Sequence, residues 1–235
     1  MRGFARLAML EAKSKRFSCL SPVCAHIVQI HALPHIMKKL TYALSTALFL
    51  ALASIATAIS VGEPAPDFTL KTPTGEEVSL SSLKGDYVVL EWVNPGCPFV
   101  KKFYNAGAMQ AFQEEAQAMG VKWLSINSTN PDHREYLDAD ASIAYYAEKN
   151  VNSTWLLDED GSAGKAYSAR TTPHCFIIDP EGNVVYAGAI DDKKSADPAD
   201  IATATNYVMT ALASTMAGEA VAEDRTRPYG CSVKY

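Results

Sequence analysis

The sequence predicts an α/β domain built on a mixed central sheet with helices on both faces. Three observations lead there. Apolar runs of strand length alternate with segments whose apolar residues recur every three or four positions. Tyr87–Val93 reads as a continuous apolar run, the pattern of a strand covered on both sides. Near the C-terminus two short apolar runs are joined by the turn Asp179-Pro-Glu-Gly-Asn183, which closes the alternating pattern with an antiparallel hairpin before a final helix.

Taken in order, Val61-Gly-Glu-Pro-Ala-Pro-Asp-Phe-Thr-Leu70, Thr74-Gly75 and Val78-Ser-Leu80 predict an N-terminal hairpin with a Pro-rich entry. Tyr87–Val93 is the first core strand. Phe99, Phe103, Ala106, Met109, Phe112, Ala116 and Met119 have helical spacing, with a kink expected at Asn105 and Gly107 and a cap at Gly120. Val121–Asn127 is a second strand, Asp132–Asn150 a polar-faced helix, Trp155–Leu157 a short strand and Ala163–Ala169 a small helix. Cys175–Ile178 and Val184–Ala187 form the closing hairpin. Asp197-Pro-Ala-Asp opens a last helix with Ile201, Ala204, Val208 and Leu212 on one face, ended by Gly218. Residues 219–235 show no periodicity and read as a tail.

The first quarter of the chain does not read as folded domain. Met37-Lys-Lys, the apolar stretch Leu40–Ile55 and Ala56-Thr-Ala58 have the order of a signal peptide, so Met37 is the expected start, 37–58 a signal peptide cleaved after Ala58, and 1–36 an upstream extension. The apolar stretch is shorter than the ~20 residues a membrane-spanning helix needs, so no stable membrane insertion is expected after cleavage. The implied organisation is a domain at 59–218 and a tail at 219–235, in a periplasmic or secreted protein. Residues 1–58 hold seven basic residues and one acid, which leaves 14 Lys and Arg against 25 Asp and Glu in the remainder. That balance argues against nucleic acid as a partner.

Cys19 and Cys24 fall in the leader, so Cys97, Cys175 and Cys231 are the thiols that face an oxidising compartment. An odd number leaves at least one free or paired outside the chain. Cys97 follows the Tyr87–Val93 strand through Asn94-Pro-Gly96 and precedes Pro98, which suits the first position of a helix. A thiol at a helix N-terminus meets backbone N–H groups that favour the thiolate, which makes Cys97 the candidate nucleophile. Lys101 and Lys102 are candidates to steady it. Thr171-Thr-Pro-His-Cys-Phe-Ile-Ile-Asp179 is the second informative segment, with Pro173 just ahead of a buried strand.

Cys97-Pro98, Thr172-Pro173 and Asp179-Pro-Glu-Gly-Asn183 together resemble the thioredoxin fold. The entry Val61–Phe68 resembles the redoxins of the alkyl hydroperoxide reductase/thiol-specific antioxidant superfamily. Gly96-Cys-Pro-Phe-Val-Lys-Lys102, Val185-Tyr-Ala-Gly-Ala-Ile-Asp-Asp192 and Arg227-Pro-Tyr-Gly-Cys-Ser-Val-Lys-Tyr235 are similar to its exported peroxiredoxin-like, thioredoxin-family branch. The resemblance implies a thiol-based oxidoreductase without a bound cofactor, in which Cys97 attacks, Pro173 is a cis proline beside it, and Thr172 helps wall the site. A disulfide-containing or thiol partner protein would exchange electrons with it.

The departures are specific. Thioredoxins carry Cys-x-x-Cys, whereas Cys97-Pro-Phe-Val100 has Val at the second thiol's place. Peroxiredoxins place Pro-x-x-x-Thr-x-x before their cysteine; counting back from Val100 gives Val93 and Cys97, and counting back from Cys97 gives Leu90 and Asn94. Fast peroxide reduction is therefore not expected. With Val100 in place, a resolving thiol must be Cys175 or Cys231, and the mobility of an aperiodic tail after Gly230 favours Cys231. The rival reading is a binding module in which Cys97, His174, Cys175 and Cys231 converge on a thiophilic ion such as Cu(I). A third is a scaffold that keeps a structural disulfide and has lost catalysis. His133 lies outside any metal-binding spacing, and the acid pairs Asp158-Glu-Asp160 and Asp191-Asp192 read as solvated turns.

Overall fold

The structure is a computed structural model that describes residues 59–235. The expected signal peptide, its cleavage point, Cys19 and Cys24 lie outside the described residues. Among the described residues no helix is long and apolar enough to cross a membrane.

The N-terminal hairpin is β1 (Thr69–Lys71) with β2 (Glu77–Ser79), followed by a 3-10 turn at Leu80–Leu83. β3 (Val88–Trp92) leads into α1 (Pro98–Asn105), α2 (Ala108–Ala118) and β4 (Lys122–Asn127). α3 (Ala139–Lys149), β5 (Thr154–Leu157), α4 (Ser162–Ala166) and the two-residue β6 (Thr171–Thr172) come next. β7 (His174–Ile178) and β8 (Val184–Gly188) form the closing hairpin, and α5 (Tyr207–Met216) and β9 (Cys231–Ser232) end the chain. The sheet order is β2-β1-β5-β4-β3-β7-β8, with β3, β4 and β5 parallel and the hairpins antiparallel. This is the thioredoxin fold that the resemblance implied, extended at one edge by the N-terminal hairpin.

Alternation along β3 explains why apolar residues point to both of its faces, with Glu91 the one exception. Val88, Leu90 and Trp92 pack with Phe68, Leu124, Ile126, Tyr167 and Phe176 on the face covered by the hairpin and α4. Val89 and Val93 pack on the other face, beneath α1, α2 and α5, with Val100, Phe103, Met109 and Leu212. The expected kink is a break: Gly107, at φ 73° in the left-handed region, separates α1 from α2.

Two helices differ from expectation. Residues 132–138 are turns and irregular chain, because Asn130 Oδ1 takes the Asp132 N–H and diverts the backbone from a helix; α3 starts only where Asp138 accepts the Ala141 N–H at 2.8 Å. The last helix is in two pieces. Asp197 caps a 3-10 segment, Pro198–Thr203, and the chain then pairs with the Asp191 strand end, Asp192 Oδ1 accepting from Thr205 N at 3.0 Å, before Asn206 caps α5.

The acids expected to be solvated are divided. Asp158 is buried, accepting from Ser128 Oγ and from the N–H groups of Ala163 and Gly164 at the start of α4. Asp191 is also buried, in an ion pair described below. Glu91 interrupts the apolar β3 on the α1 side, fully buried, and its carboxyl accepts from Tyr104 Oη at 3.0 Å, Trp123 Nε1 at 3.0 Å and Ser125 Oγ at 3.0 Å. Burial pushes its pKa up to about 7, with these donors pulling the other way.

Folded Glu91 thus holds its proton up to about pH 7, while the unfolded chain releases it near 4.5. The native state binds more protons in that window, so this group's contribution to stability falls as pH rises through it, by about 3 kcal/mol in all. Urea unfolding at pH 5 and pH 8 is expected to show this slope in the wild type and to lose it in Glu91→Gln; an unchanged slope in the variant would refute the assignment.

Candidate active site

Cys97 sits at the N-cap of α1 with extended backbone, and Pro98 occupies the first helical position. The Asn94–Gly96 turn that presents it is held by one side chain. Asn94 Oδ1 accepts from Gly96 N at 2.6 Å, and its Nδ2 donates to Thr129 Oγ1 at 3.1 Å and Glu135 Oε2 at 3.2 Å. The Cys97 N–H closes the turn onto Asn94 O at 3.0 Å, and its C=O accepts from Val100 and Lys101 in the first helical turn. The Thr172–Pro173 peptide is cis, and Cys97 Sγ, in its thiol form, donates to Thr172 O at 3.0 Å.

The C-terminal tail completes the site. Its residues are ordered along the domain. Ala187 donates to Asp224 O and accepts from Thr226 N, Tyr229 buries its ring against Phe99, and β9 pairs with β6 so that Cys231 lies opposite Thr172. Beyond that, Val233 N donates to Arg170 O, Asn130 N to Lys234 O, and Tyr235 Oη to Ala169 O. Gly230 is required at the crossing: its φ is 134°, and a Cβ there would lie 2.1 Å from Thr172 O. The tail leaves Cys97 only 1% exposed. It is docked with the cysteines unbridged, so the cover does not wait for a disulfide.

The two thiols are electrostatically unequal. Burial opposes ionisation of Cys97, but the Cys231 thiol, the Thr172 hydroxyl and the N–H groups of Cys231 and Val100 outweigh it and lower its pKa. Thr172 Oγ1 is buried with no hydrogen-bond partner of its own, so its proton is free for a thiolate. Cys231 is pushed up to about 11, first by burial and then by its bond to Cys97 and the charge there. Of the two sulfurs, Cys97 is the one that ionises more readily.

Cys175 is placed differently. It pairs with Glu91 in the β3–β7 register, is wholly buried, and its pKa is raised well above the ordinary thiol range by burial and by Glu91 and Asp191. His174, its neighbour, points to the opposite face, where its ring packs 4.5 Å from Phe176 and its Nδ1 accepts from Arg170 N. Adjacent strand residues cannot reach one ion from opposite faces, and among the described residues no group of three His, Cys, Asp or Glu side chains is arranged to hold a metal. That corrects the expectation of a Cu(I) site built from Cys97, His174, Cys175 and Cys231.

Lys101 is exposed and Lys102 does not face the thiol. Lys102 is buried on the inner face of α1, where its Nζ donates to Asp191 Oδ2 and Lys193 O, each at 3.1 Å. Asp191 Oδ1 in turn accepts from Tyr229 Oη. Of the residues that pin the tail, Tyr229 went unrecognised in the sequence, as did the roles of Asn94 and Glu91, while Lys102 was expected to steady the thiol and Asp191 to be solvated. The signal available was an acid inside a strand-length apolar run and a lysine among the spaced apolar positions of a helix.

Residues 61–187 match the AhpC/TSA family, more than half of the chain. The chain belongs to the AhpC/TSA family. Among curated relatives of this AhpC/TSA protein, the thiol-disulfide oxidoreductase ResA of Bacillus subtilis is 32% identical over 132 residues, 54% of this chain and 66% of ResA, so the match spans just under two thirds of that relative. Peroxiredoxin Bcp of Escherichia coli K12 is 26% identical over 61% of this chain and 92% of Bcp. Of solved structures, an uncharacterised conserved protein from Geobacillus kaustophilus matches with TM-score 0.67 at 25% identity, over 76% of this chain and 94% of its own. A hypothetical protein from Sinorhizobium meliloti 1021 matches in fold with TM-score 0.65 at 24% identity, over 76% and 96%.

The buried cluster gives a direct test of the tail's attachment. Lys102→Ala would leave the Asp191 carboxylate buried and unpaired, and is expected to cost about 3–5 kcal/mol in urea unfolding. Tyr229→Phe removes a single donor to that carboxylate and is expected to cost about 1.5–3 kcal/mol while speeding alkylation of Cys97. A Tyr229→Phe protein whose Cys97 reacts at the wild-type rate would mean that this anchor does not govern access.

Proposed function

We propose that this chain is an exported thiol-disulfide oxidoreductase in which Cys97 is the attacking thiol, Cys231 the resolving thiol, and Thr172 and Pro173 the wall of the site. The observation that carries the reading is that β9 places Cys231 opposite Thr172, whose carbonyl meets the Cys97 thiol, with the pKa values of the two cysteines shifted in opposite directions. Export rests on the signal-peptide pattern at 37–58 and is checked by N-terminal sequencing of the native protein, expected to begin at Ile59.

The cycle follows from the asymmetry. The Cys97 thiolate attacks one sulfur of a partner's disulfide; the Cys97–partner bond forms, the partner's S–S bond breaks, and its other sulfur leaves as a thiolate. That step removes the negative charge that, after burial, had helped to raise the Cys231 pKa, so Cys231 ionises more readily once a mixed disulfide exists. Cys231 then attacks the Cys97 sulfur, a Cys97–Cys231 disulfide forms, and the partner leaves with both electrons. A dithiol partner protein returns the pair to the reduced state. Cys175, protonated and held within the sheet, takes no part.

Peroxide is a poorer substrate in this reading. Leu90 and Asn94 stand where a peroxiredoxin's Pro and Thr would be counted from Cys97. Leu90 is packed in the core, and Asn94 is committed to Gly96, Thr129 and Glu135.

Oxidised protein is expected to give a Cys97–Cys231 cross-linked peptide on mass mapping. Cys97→Ser should abolish reduction of a protein disulfide, and Cys231→Ser should accumulate the mixed disulfide and slow turnover at least tenfold. Iodoacetamide at neutral pH should modify Cys97 well before Cys175. A Cys97–Cys175 bridge, or full turnover in Cys231→Ser, would refute the tail's role.

A further inference from the structure

Arginine is scarce in residues 59–235, and three of the four present, Arg170, Arg225 and Arg227, line one cavity of about 230 Å³. None of the three forms an ion pair among the described residues. In a stretch with 25 acids to 14 bases, this is a concentration of unneutralised positive charge. Arg225 spends one N–H on Ile59 O at 2.9 Å and keeps the rest of its fork.

The other walls are mainly apolar and aromatic, with Ile59, Ala187 and Pro228 beside three rings. Tyr167 and Phe176 line the cavity with their rings edge to face at 5.2 Å, and His174 lies over Phe176. Since His174 Nδ1 accepts from Arg170 N, the neutral ring carries its proton on Nε2, for which the described residues offer no acceptor. Burial, aided by Arg170, holds the imidazole neutral, with its pKa near 3.

The side-chain chemistry of the cavity is thus donor-rich, over an apolar floor. Guanidinium groups match carboxylate and phosphate oxygens two at a time. The space equals roughly eight waters' share of the liquid, more than a bare anion fills, and the aromatic floor offers it nothing. We propose that this cavity binds a small organic carboxylate, its charged end held by Arg170, Arg225 and Arg227 and its apolar body on Tyr167 and Phe176. Arg225 and Arg227 belong to the tail, whereas Arg170 and His174 flank Thr172–Pro173, so the ligand would tie the tail to the body of the domain. Binding stabilises that closed arrangement by mass action.

Calorimetric titration of the purified protein with benzoate tests this, with inorganic phosphate and benzyl alcohol as the charge-only and ring-only probes. Saturable binding of benzoate at one site is expected, about tenfold tighter than phosphate, with none of benzyl alcohol. Arg170→Gln/Arg227→Gln should weaken it at least tenfold with no change in the ligand-free melting temperature, these being exposed side chains. Arg170→Lys, which keeps charge and loses the fork, should weaken it several-fold. The proposal is overturned if neither benzoate nor hexanoate saturates by roughly 10 mM, if phosphate binds as tightly, or if benzoate binding survives both variants.

Discussion

The ion pair between Lys102 and Asp191 decides where the last seven residues of the chain, Tyr229 to Tyr235, lie. Taking both charges out of water is costly, and the pair is tolerable because each partner is also hydrogen-bonded. Lys102 donates to Lys193 O and lies over the Phe103 ring, while Asp191 accepts from Lys193 N and Tyr229 Oη. The Tyr229 hydroxyl is therefore part of what solvates a buried carboxylate. Once it is fixed there, against Phe99 of the helix that Cys97 caps, the chain leaves past Gly230 and Thr172.

That exit sets the chemistry. β9 has two residues, yet its register places Cys231 opposite Thr172, whose carbonyl meets the Cys97 thiol. The tail then supplies two of the groups that favour the Cys97 thiolate, the Cys231 thiol and its N–H, alongside Val100 N–H from the helix. A helix N-terminus alone would favour ionisation modestly. Here the loss of hydration caused by the cover is offset by donors that the cover itself brings.

Legibility in the sequence followed the range of the interactions involved. β3, β4, the closing hairpin and the Cys97 N-cap were readable because each depends on local periodicity, on Pro or on turn residues. The split last helix was not, since Asp192 reaches Thr205 across 13 positions to draw the chain out of helical form. Lys102 and Asp191 are 89 positions apart, and each alone looks like a surface charge. The tail has no periodicity for the same reason that it is ordered: its residues each meet a different part of the domain. His174 and Cys175 stand side by side in the sequence and face opposite layers, which defeats any metal-site reading from spacing alone.

In the proposed cycle the cover must open, because a protein disulfide cannot reach a sulfur that is 1% exposed. The tail's attachments differ in strength along its length. Beyond Gly230 they are a two-residue strand pair and three hydrogen bonds, from Val233, to Lys234 and from Tyr235. Before it, releasing Tyr229 would strip a donor from a buried carboxylate, which costs more than losing a hydrogen bond between neutral, hydrated groups. Opening is therefore cheapest distal to Gly230. In that state Cys231 remains two residues from an anchored Tyr229, so its return to a Cys97 mixed disulfide closes only a short loop, at a small entropic cost.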